Sequence, residues 1–312
     1  MYKFNSNYWA LIIGGSSGFG LATAQKLARH GMNVCIVHRD RRGSMKHIQP
    51  AFDALEATGV KVATYNLDAL SEEGRNKVME ELATLLEDGG KIRLLLHSVA
   101  FGNLKLLAPY EPGSRTREAR EKISEKLGVS HDRFLETVQH TFEEGADALY
   151  TLADPPPYSN ELFLKNEDFA RTIQAMGSNI VEWVQDLHQN RFFADDARVI
   201  SLTSEGNSVA WRGYAAVSAA KAVLESVSRA MAIEFAPFGI RSNIIQAGVT
   251  DTAALRIIPG SQQIKANARL RNPFGRLTRP EDVADVIYLL CMDEAGWVNG
   301  SLICADGGER IG

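Results

Sequence analysis

The sequence predicts an α/β fold of the Rossmann type, a doubly wound parallel sheet with helices on both faces. Three observations carry the prediction. Short, continuously apolar runs such as residues 9–13 and 33–37 read as strands buried on both faces. Segments with apolar residues at helical spacing alternate with them. A glycine-rich turn, Gly14-Gly15-Ser16-Ser17-Gly18-Phe19-Gly20, joins the first strand to the first helix.

The elements follow in order. After the strand at 9–13 comes a helix over about 20–30, with Leu21, Ala24, Leu27 and Ala28 on one face and Gly31 as its stop. Residues 33–37 form the second strand and 50–58 a helix. The third strand, 61–65, ends near Asp68, and a helix over 72–86 starts behind a Ser71 cap. Residues 92–96 form the fourth strand. The pattern resumes with a strand at 198–202, a long helix at 215–235, a strand at 241–245, a helix at 280–291 and a last strand at 301–304.

Between the halves the chain is too long. Ile92 and Arg198 are 106 positions apart, whereas a βαβ unit needs about 30 or somewhat more. One helix, about 166–191, accounts for part of the excess. Residues 104–165, with helical stretches near 115–127 and 131–149 and a break at Pro155-Pro156-Pro157, read as a helical insertion. We therefore expect one dinucleotide-binding domain, residues 1–312, that includes this insertion.

Composition narrows the class. Of 312 residues, 45% are hydrophobic and 23% charged, which suits a globular enzyme and argues against long disorder. The net charge of −4 gives no overall pull toward nucleic acid or an anionic membrane. No apolar run approaches the ~20 residues of a membrane span. Cys35, Cys291 and Cys304 lie in apolar runs outside any CxxC pair, which predicts buried, reduced thiols in a cytoplasmic protein without a metal centre.

The spacing Gly14-x3-Gly18-x-Gly20 after a strand and before a helix suits a pyrophosphate. The turn is tight, the backbone must approach the phosphates, and the helix N-terminus supplies free N–H groups and a positive dipole end. Past the second strand stand His38-Arg39-Asp40-Arg41-Arg42. Arginine accommodates a ribose 2′-phosphate and an acidic residue holds the 2′-hydroxyl. Three arginines and a histidine around one Asp favour NADPH, with Asp40 keeping NADH as the alternative.

Tyr214 and Lys221 are seven residues apart at the start of the long helix, nearly two turns, so both can point to one face. A nearby ammonium favours the phenolate and makes the tyrosine a better acid or hydrogen-bond donor. Ser204 lies just past the fifth strand, at the carboxyl end where open α/β sheets bind ligands.

These residues, with Asp68, Asn179, the Ala247-Gly248 segment and the closing Asp306-Gly307-Gly308, resemble the short-chain dehydrogenase/reductase superfamily outside roughly 104–165. The usual tyrosine of that superfamily stands four residues before the lysine, where this chain has Val217. The tyrosine seven before the lysine is similar to the enoyl-[acyl-carrier-protein] reductases, as are His97-Ser98-Val99-Ala100-Phe101 and the stretch from Val249 to Leu255. Ser204 resembles the NADPH-using branch.

The resemblance implies hydride transfer from NADPH to the β-carbon of an enoyl thioester. Tyr214 would stabilise the enolate and Lys221 would hold the nicotinamide ribose, with Ser204 and Asn179 completing the catalytic set. It further implies that Gly14, Ser16, Ser17, Gly18, Phe19 and Gly20 cradle the cofactor, with His38 and Arg39 at the ribose phosphate. Leu67, Asp68 and Ala69 would contact adenine, and Ser98, Val99 and Ala100 the ribose. Ala247, Gly248, the backbone of Val249, and Thr252 would hold the carboxamide and phosphate. Phe101, Trp211, Tyr214 and Leu255 would meet the substrate, acyl carrier protein would be the partner, and the assembly a homotetramer.

From Thr252 to Pro280 there is no acidic residue, but Arg256, Lys265, Arg269, Arg271, Arg276 and Arg279 are present. That run is expected to be either a steering surface for an acidic carrier or a solvated basic face. Leu255, Ile257, Ile258, Ile264, Leu270, Phe274 and Trp211 are candidates for an acyl channel, or for ordinary core. Two competing readings remain: a carbonyl reductase on the same scaffold, which Ser204 suits and Val217 does not, and a non-catalytic nucleotide-binding scaffold, which would not need both Tyr214 and Lys221.

Overall fold

Every strand pairing in the computed structural model is parallel. The structure describes residues 3–111 and 113–312. Seven strands lie in the order β3-β2-β1-β4-β5-β6-β7: β1 Tyr8–Ile13, β2 Asn33–His38, β3 Val62–Asn66, β4 Lys91–His97, β5 Phe193–Thr203, β6 Ile240–Ala247 and β7 Leu302–Ala305. The order reverses between β1 and β4, and such a switch point opens a crevice at the carboxyl ends of the strands.

The helices are α1 Gly18–Arg29, α2 Arg42–Glu56, α3 Glu72–Leu85, α4 Ser114–Leu127, α5 His131–Glu143, α6 Asn166–Ile173, α7 Asn179–Gln189, α8 Ala215–Glu234, α9 Ala253–Arg256, α10 Ser261–Arg271 and α11 Pro280–Cys291. Alternate strand residues supply two cores. Leu11, Cys35, Leu95 and Val199 meet Val78 and Leu82 of α3, Trp183 and Val184 of α7, and Leu224 of α8. Ile12, Ile36, Leu94 and Ile200 meet Leu27 of α1, Phe52 and Leu55 of α2, and Val283 and Ile287 of α11. Period-two alternation between two covered faces is why the strands read as unbroken apolar runs.

Several boundaries differ from the sequence reading. Helix α2 begins at Arg42, well before residue 50, and carries Pro50 inside it. Met45 and Ile48 pack against the same core as Phe52 and Leu55, so burial outweighs the local cost of a proline lacking its N–H. The expected helix 166–191 is α6 and α7 joined through a π-helical turn, Gln174–Ser178. The stretch 131–149 ends as a helix at Glu143 and continues in a 3₁₀ turn, Asp147–Leu149. Helices α9 and α10 were not expected. Cys35 and Cys291 are buried, but Cys304 is exposed, because β7 is an edge strand whose Leu302 and Cys304 face outward.

At the end of the sheet away from the crevice, Arg93, Arg198 and Arg241 converge on Asp196. Arg93 also donates to the Cys291 carbonyl at 2.8 Å and Arg198 to the Leu290 carbonyl at 2.8 Å. These arginines satisfy carbonyls that the last turn of α11 leaves without helical partners. Burial works against the Asp196 carboxylate, but Arg198 and Arg93 hold it below the usual range.

Its stabilising contribution is therefore present above the pKa of an unfolded Asp, about 4, and is lost as pH falls through the lower folded value. We expect Asp196→Asn to lower the melting temperature at pH 7. The gap from wild type should narrow steadily below about pH 4, read by thermal unfolding across pH 2–7.

Candidate active site

The crevice above β1 and β4 is a groove of two joined compartments. The first, about 410 Å³, is walled by Gly14, Ser16, Ser17, His38, Arg39, Leu67, Asp68, Ala69, Ser98 and Val99. The second, about 180 Å³, is lined by Phe19, Phe101, Leu104, Ser204, Trp211, Tyr214, Val217, Ala247, Gly248, Val249, Thr252 and Leu255. Ala100, Phe101, Ala254 and Ile257 line both. Most of the expected cofactor and substrate residues therefore meet in one place.

Glycines shape the first compartment by what they leave out. A Cβ on Gly14, whose φ is +88°, would stand 2.4 Å from the Ser98 carbonyl oxygen. One on Gly20 would stand 2.3 Å from the Gly14 carbonyl oxygen. Ser17 is the N-cap of α1, and its side chain makes no capping bond, which leaves the helix N-terminus to offer N–H groups to an anion. Across the groove, Thr252 caps α9 by accepting from the Leu255 N–H at 3.2 Å, and its methyl lies 3.7 Å from where a Gly18 Cβ would be.

The far end of this compartment carries charge. Arg39 is exposed, donates to Asp68 at 2.6 Å, and stands over the Phe101 ring at 5.5 Å. Asp40 is drawn away, its carboxylate 2.9 Å from Nδ1 of the buried His38 and its backbone N–H on the Asn66 side chain. A loop with phosphate-ready N–H groups, a slot flanked by Asp68 and Leu67, and a guanidinium at its rim fit a nicotinamide dinucleotide.

In the second compartment Tyr214 caps α8 and packs on Trp211, ring centroids 5.3 Å apart. A Cβ on Gly206 would meet the tyrosine ring at 2.5 Å, so the turn after Ser204 is flush against it. Burial raises the Tyr214 phenol above its ordinary value, while the adjacent Ser204 hydroxyl works the other way. The Ser204 Oγ itself is buried without a well-formed hydrogen bond. Both groups thus face the cleft with unspent hydrogen-bonding capacity.

Lys221 does not line the cleft. Its ammonium is buried and donates to the Leu202 carbonyl at 2.7 Å. Burial pulls its pKa down to about 8, and Glu225, one turn along α8, acts in the opposite sense. Glu225 also accepts from Thr203 Oγ at 2.7 Å and from the Asn207 amide. It therefore ties the Ser204 loop to the helix that carries Lys221. His97 is buried and its pKa is lowered to about 3, by burial first and then by Lys221, so it is neutral under ordinary conditions.

Some expectations change. The Asn179 side chain donates to Glu182 at 3.1 Å and accepts from the Trp183 indole at 3.2 Å, so its amide is engaged within α7, whose Trp183 in turn donates to the Ala69 carbonyl. The Val249 N–H donates to Glu309 at 3.0 Å, and its carbonyl accepts from Thr278, so this backbone is already engaged. Leu270 and Phe274 face solvent instead of the cleft. The basic run is largely paired within the fold. Arg256 and Lys265 meet Asp251, Arg269 meets Asp147, and Arg276 meets Asp282.

Arg271 lies deeper. Its guanidinium bonds to Glu205 at 2.6 Å and Glu309 at 3.3 Å. Both carboxylates line the cleft and are buried, and burial pushes the Glu309 carboxyl up. Neither Glu205 nor Glu309 was singled out from sequence. Only its place immediately after Ser204 marked Glu205, and nothing local marked Glu309.

Comparison with known proteins agrees with this geometry. A family model described as "Enoyl-(Acyl carrier protein) reductase" matches residues 130–309, and one described as "short chain dehydrogenase" matches residues 8–117. A tropinone reductase homologue of Arabidopsis thaliana is 26% identical over 97% of this chain and 90% of its own. An enoyl-[acyl-carrier-protein] reductase (NADH) from Aquifex aeolicus VF5 superimposes with a TM-score of 0.69 at 20% identity, covering 98% of this chain and 97% of that one. A short chain dehydrogenase from Burkholderia cenocepacia J2315 in complex with NADP gives a TM-score of 0.69 at 20% identity, covering 97% and 98%. The chain belongs to the short-chain dehydrogenase/reductase family of oxidoreductases.

Proposed function

We propose that this protein reduces the carbon–carbon double bond of an α,β-unsaturated thioester carried on acyl carrier protein, with NADPH as reductant. One observation carries the reading. Tyr214 faces the cleft seven residues before the buried Lys221, while Val217, at the position four before it, forms apolar wall. The acid is thereby displaced one turn from the position that serves a ketone in most of the family.

A nicotinamide dinucleotide held in the groove would supply a hydride to the β-carbon of the substrate, and the resulting enolate would take a solvent-derived proton at the α-carbon to complete the reduction. The chain's residues then manage the charge that develops on the thioester oxygen. Tyr214, kept protonated by burial, donates a hydrogen bond or its proton to that oxygen, an interaction that strengthens as the enolate forms. Lys221 adds positive field from behind Leu202. Trp211, Leu255 and Ile258 keep water from the cleft and give the acyl chain an apolar wall. Because most cations of residues 252–280 are paired internally, the reading assigns carrier selection to the thioester arm and the cleft more than to a broad positive face.

The preference for NADPH rests on Arg39, exposed at the rim, and on Asp40, already engaged by His38. A second reading is supported by Ser204 beside Tyr214, which suits polarisation of a ketone, and by the tropinone reductase homologues among the sequence relatives. In that reading the protein is an NADP-dependent carbonyl reductase with the same tyrosine as acid.

Crotonyl-CoA and acetoacetyl-CoA, each with NADPH and with NADH, separate the two. Oxidation of NADPH by crotonyl-CoA is expected, and turnover of acetoacetyl-CoA alone overturns the first reading. Tyr214→Phe should lower kcat about 10²–10⁴-fold with little change in cofactor affinity. Arg39→Ala should raise KM for NADPH about tenfold, roughly 1.4 kcal/mol, and leave KM for NADH within about twofold; equal effects on both cofactors would remove Arg39 from the phosphate site. The charged form of Lys221 is lost as pH rises through about 8. In a pH profile, kcat/KM should therefore be level below that value and fall above it.

A further inference from the structure

We propose that the 104–165 insertion determines substrate specificity as a brace: it grips the elements next to both walls of the cleft, α10 beyond the Ile257–Ile258 wall and Arg212–Gly213 between the wall residues Trp211 and Tyr214, and sets the separation of those walls. The proposal takes the second compartment as the substrate site, but does not depend on which carbonyl compound occupies it.

On the α10 side the contacts are of three kinds. Asp147 receives Arg269 in a two-pronged pair, with Nε at 2.6 Å. Gln263 donates to the Asp154 carbonyl at 2.9 Å. Ala266, fully buried, packs with Phe142 and Ala153. The link between α9 and α10 is held as well. Gly260 has φ +80°, and a Cβ there would lie 2.6 Å from Pro156 Cγ. That link leaves the cleft through Ile257 and Ile258, both of which line it, so whatever fixes Gly260 and α10 fixes that wall.

On the other side the Arg212 guanidinium stands 5.1 Å over the Tyr110 ring, and Tyr110 packs on Tyr158 at 5.0 Å between centroids. Gly213 faces the Leu104 carbonyl and the Tyr158 ring, at 3.6 and 3.8 Å from where its Cβ would be. These two residues separate Trp211 from Tyr214, so the insertion backs the wall that carries the acid. The brace is continuous between its two ends. Arg120 of α4 donates to the carbonyls of Leu152 and Ala153, Asn160 exchanges hydrogen bonds with the Tyr110 backbone, and Lys105 anchors the first arm to Asp168 of α6 at 2.9 Å. A segment tied to both walls limits how far they part, and that limit sets how much of an acyl chain the cleft can take up.

The test uses the full-length protein with Asp147→Asn and Tyr158→Ala, and Asp147→Glu as the conservative control. Substrates are 2-enoyl-CoA thioesters of four, eight and twelve carbons, with hydrogen exchange followed at residues 211–213 and 253–271. Both disruptive variants should change the ratio of kcat/KM for the twelve- and four-carbon substrates at least fivefold, mainly through KM. NADPH affinity should stay within twofold, and Asp147→Glu should return the ratio toward wild type. Exchange should rise at 253–271 in Asp147→Asn and at 211–213 in Tyr158→Ala. Unchanged exchange at those segments overturns the brace whatever the substrate, as does an unchanged ratio with active thioesters. If wild type turns over none of the thioesters, the proposed function fails, and the exchange result alone then upholds or overturns the brace.

Discussion

The glycine turn after β1 has to pass between two backbones at once. Gly14 runs against the Ser98 carbonyl at the end of β4, and Gly20, opening α1, runs against Gly14 itself. Neither place has room for a methyl group, and the obstacle in both is main chain, which cannot swing aside. This pair of approaches brings the N-terminus of α1 to the switch point between β1 and β4, where the crevice opens. Everything functional in the chain is referred to that point. Arg39 and Asp68 lie along the β2–β3 side of it, and Ser204, Tyr214 and Thr252 along the β5–β6 side.

Around that fixed point the charged groups fall into two regimes. At the far end of the sheet, Arg93 and Arg198 are almost wholly buried but are surrounded by carbonyls and Asp196, an arrangement that satisfies donors and leaves nothing to react. Near the cleft the satisfaction is partial. Lys221 has one carbonyl and the field of Glu225, while the Ser204 Oγ, beside Tyr214, lacks a well-formed hydrogen bond and the His97 Nε2 has no partner. Incomplete satisfaction of buried polar groups costs stability. Its concentration beside Tyr214 is the physical sign that this end of the sheet is shaped for a bound molecule rather than for folding.

Much of this was legible in the sequence because it is local. The parallel sheet, the glycine turn and the Tyr214–Lys221 spacing depend on residues within one or two turns or strands of each other. The same locality explains the errors. Pro50 resembled a helix start because its neighbours, not the distant core that holds Met45 and Ile48, were visible. The partners of the Asn179 amide were out of sight for the same reason, because the sequence does not place Trp183 and Glu182 against it. Helices α9 and α10 carry little apolar periodicity of their own, since one is four residues long and the other is held largely by partners from the insertion.

The basic run from residue 252 to 280 shows the same limit most sharply. Read along the chain it is a block of uncompensated positive charge, which suggests a surface awaiting an acidic partner. In space Asp251 and Asp282, just outside the run, hold Arg256, Lys265 and Arg276, while part of its compensation comes from afar: Asp147 lies 122 residues from Arg269, and Glu205 lies 66 from Arg271. A pair made across such distances fixes tertiary structure, because the chain entropy of bringing its members together has already been met by the rest of the fold. Part of this charge fastens the segment that leads from the cleft's Ile257–Ile258 wall, and Arg271, between two cleft-lining carboxylates, is the fastening nearest the chemistry.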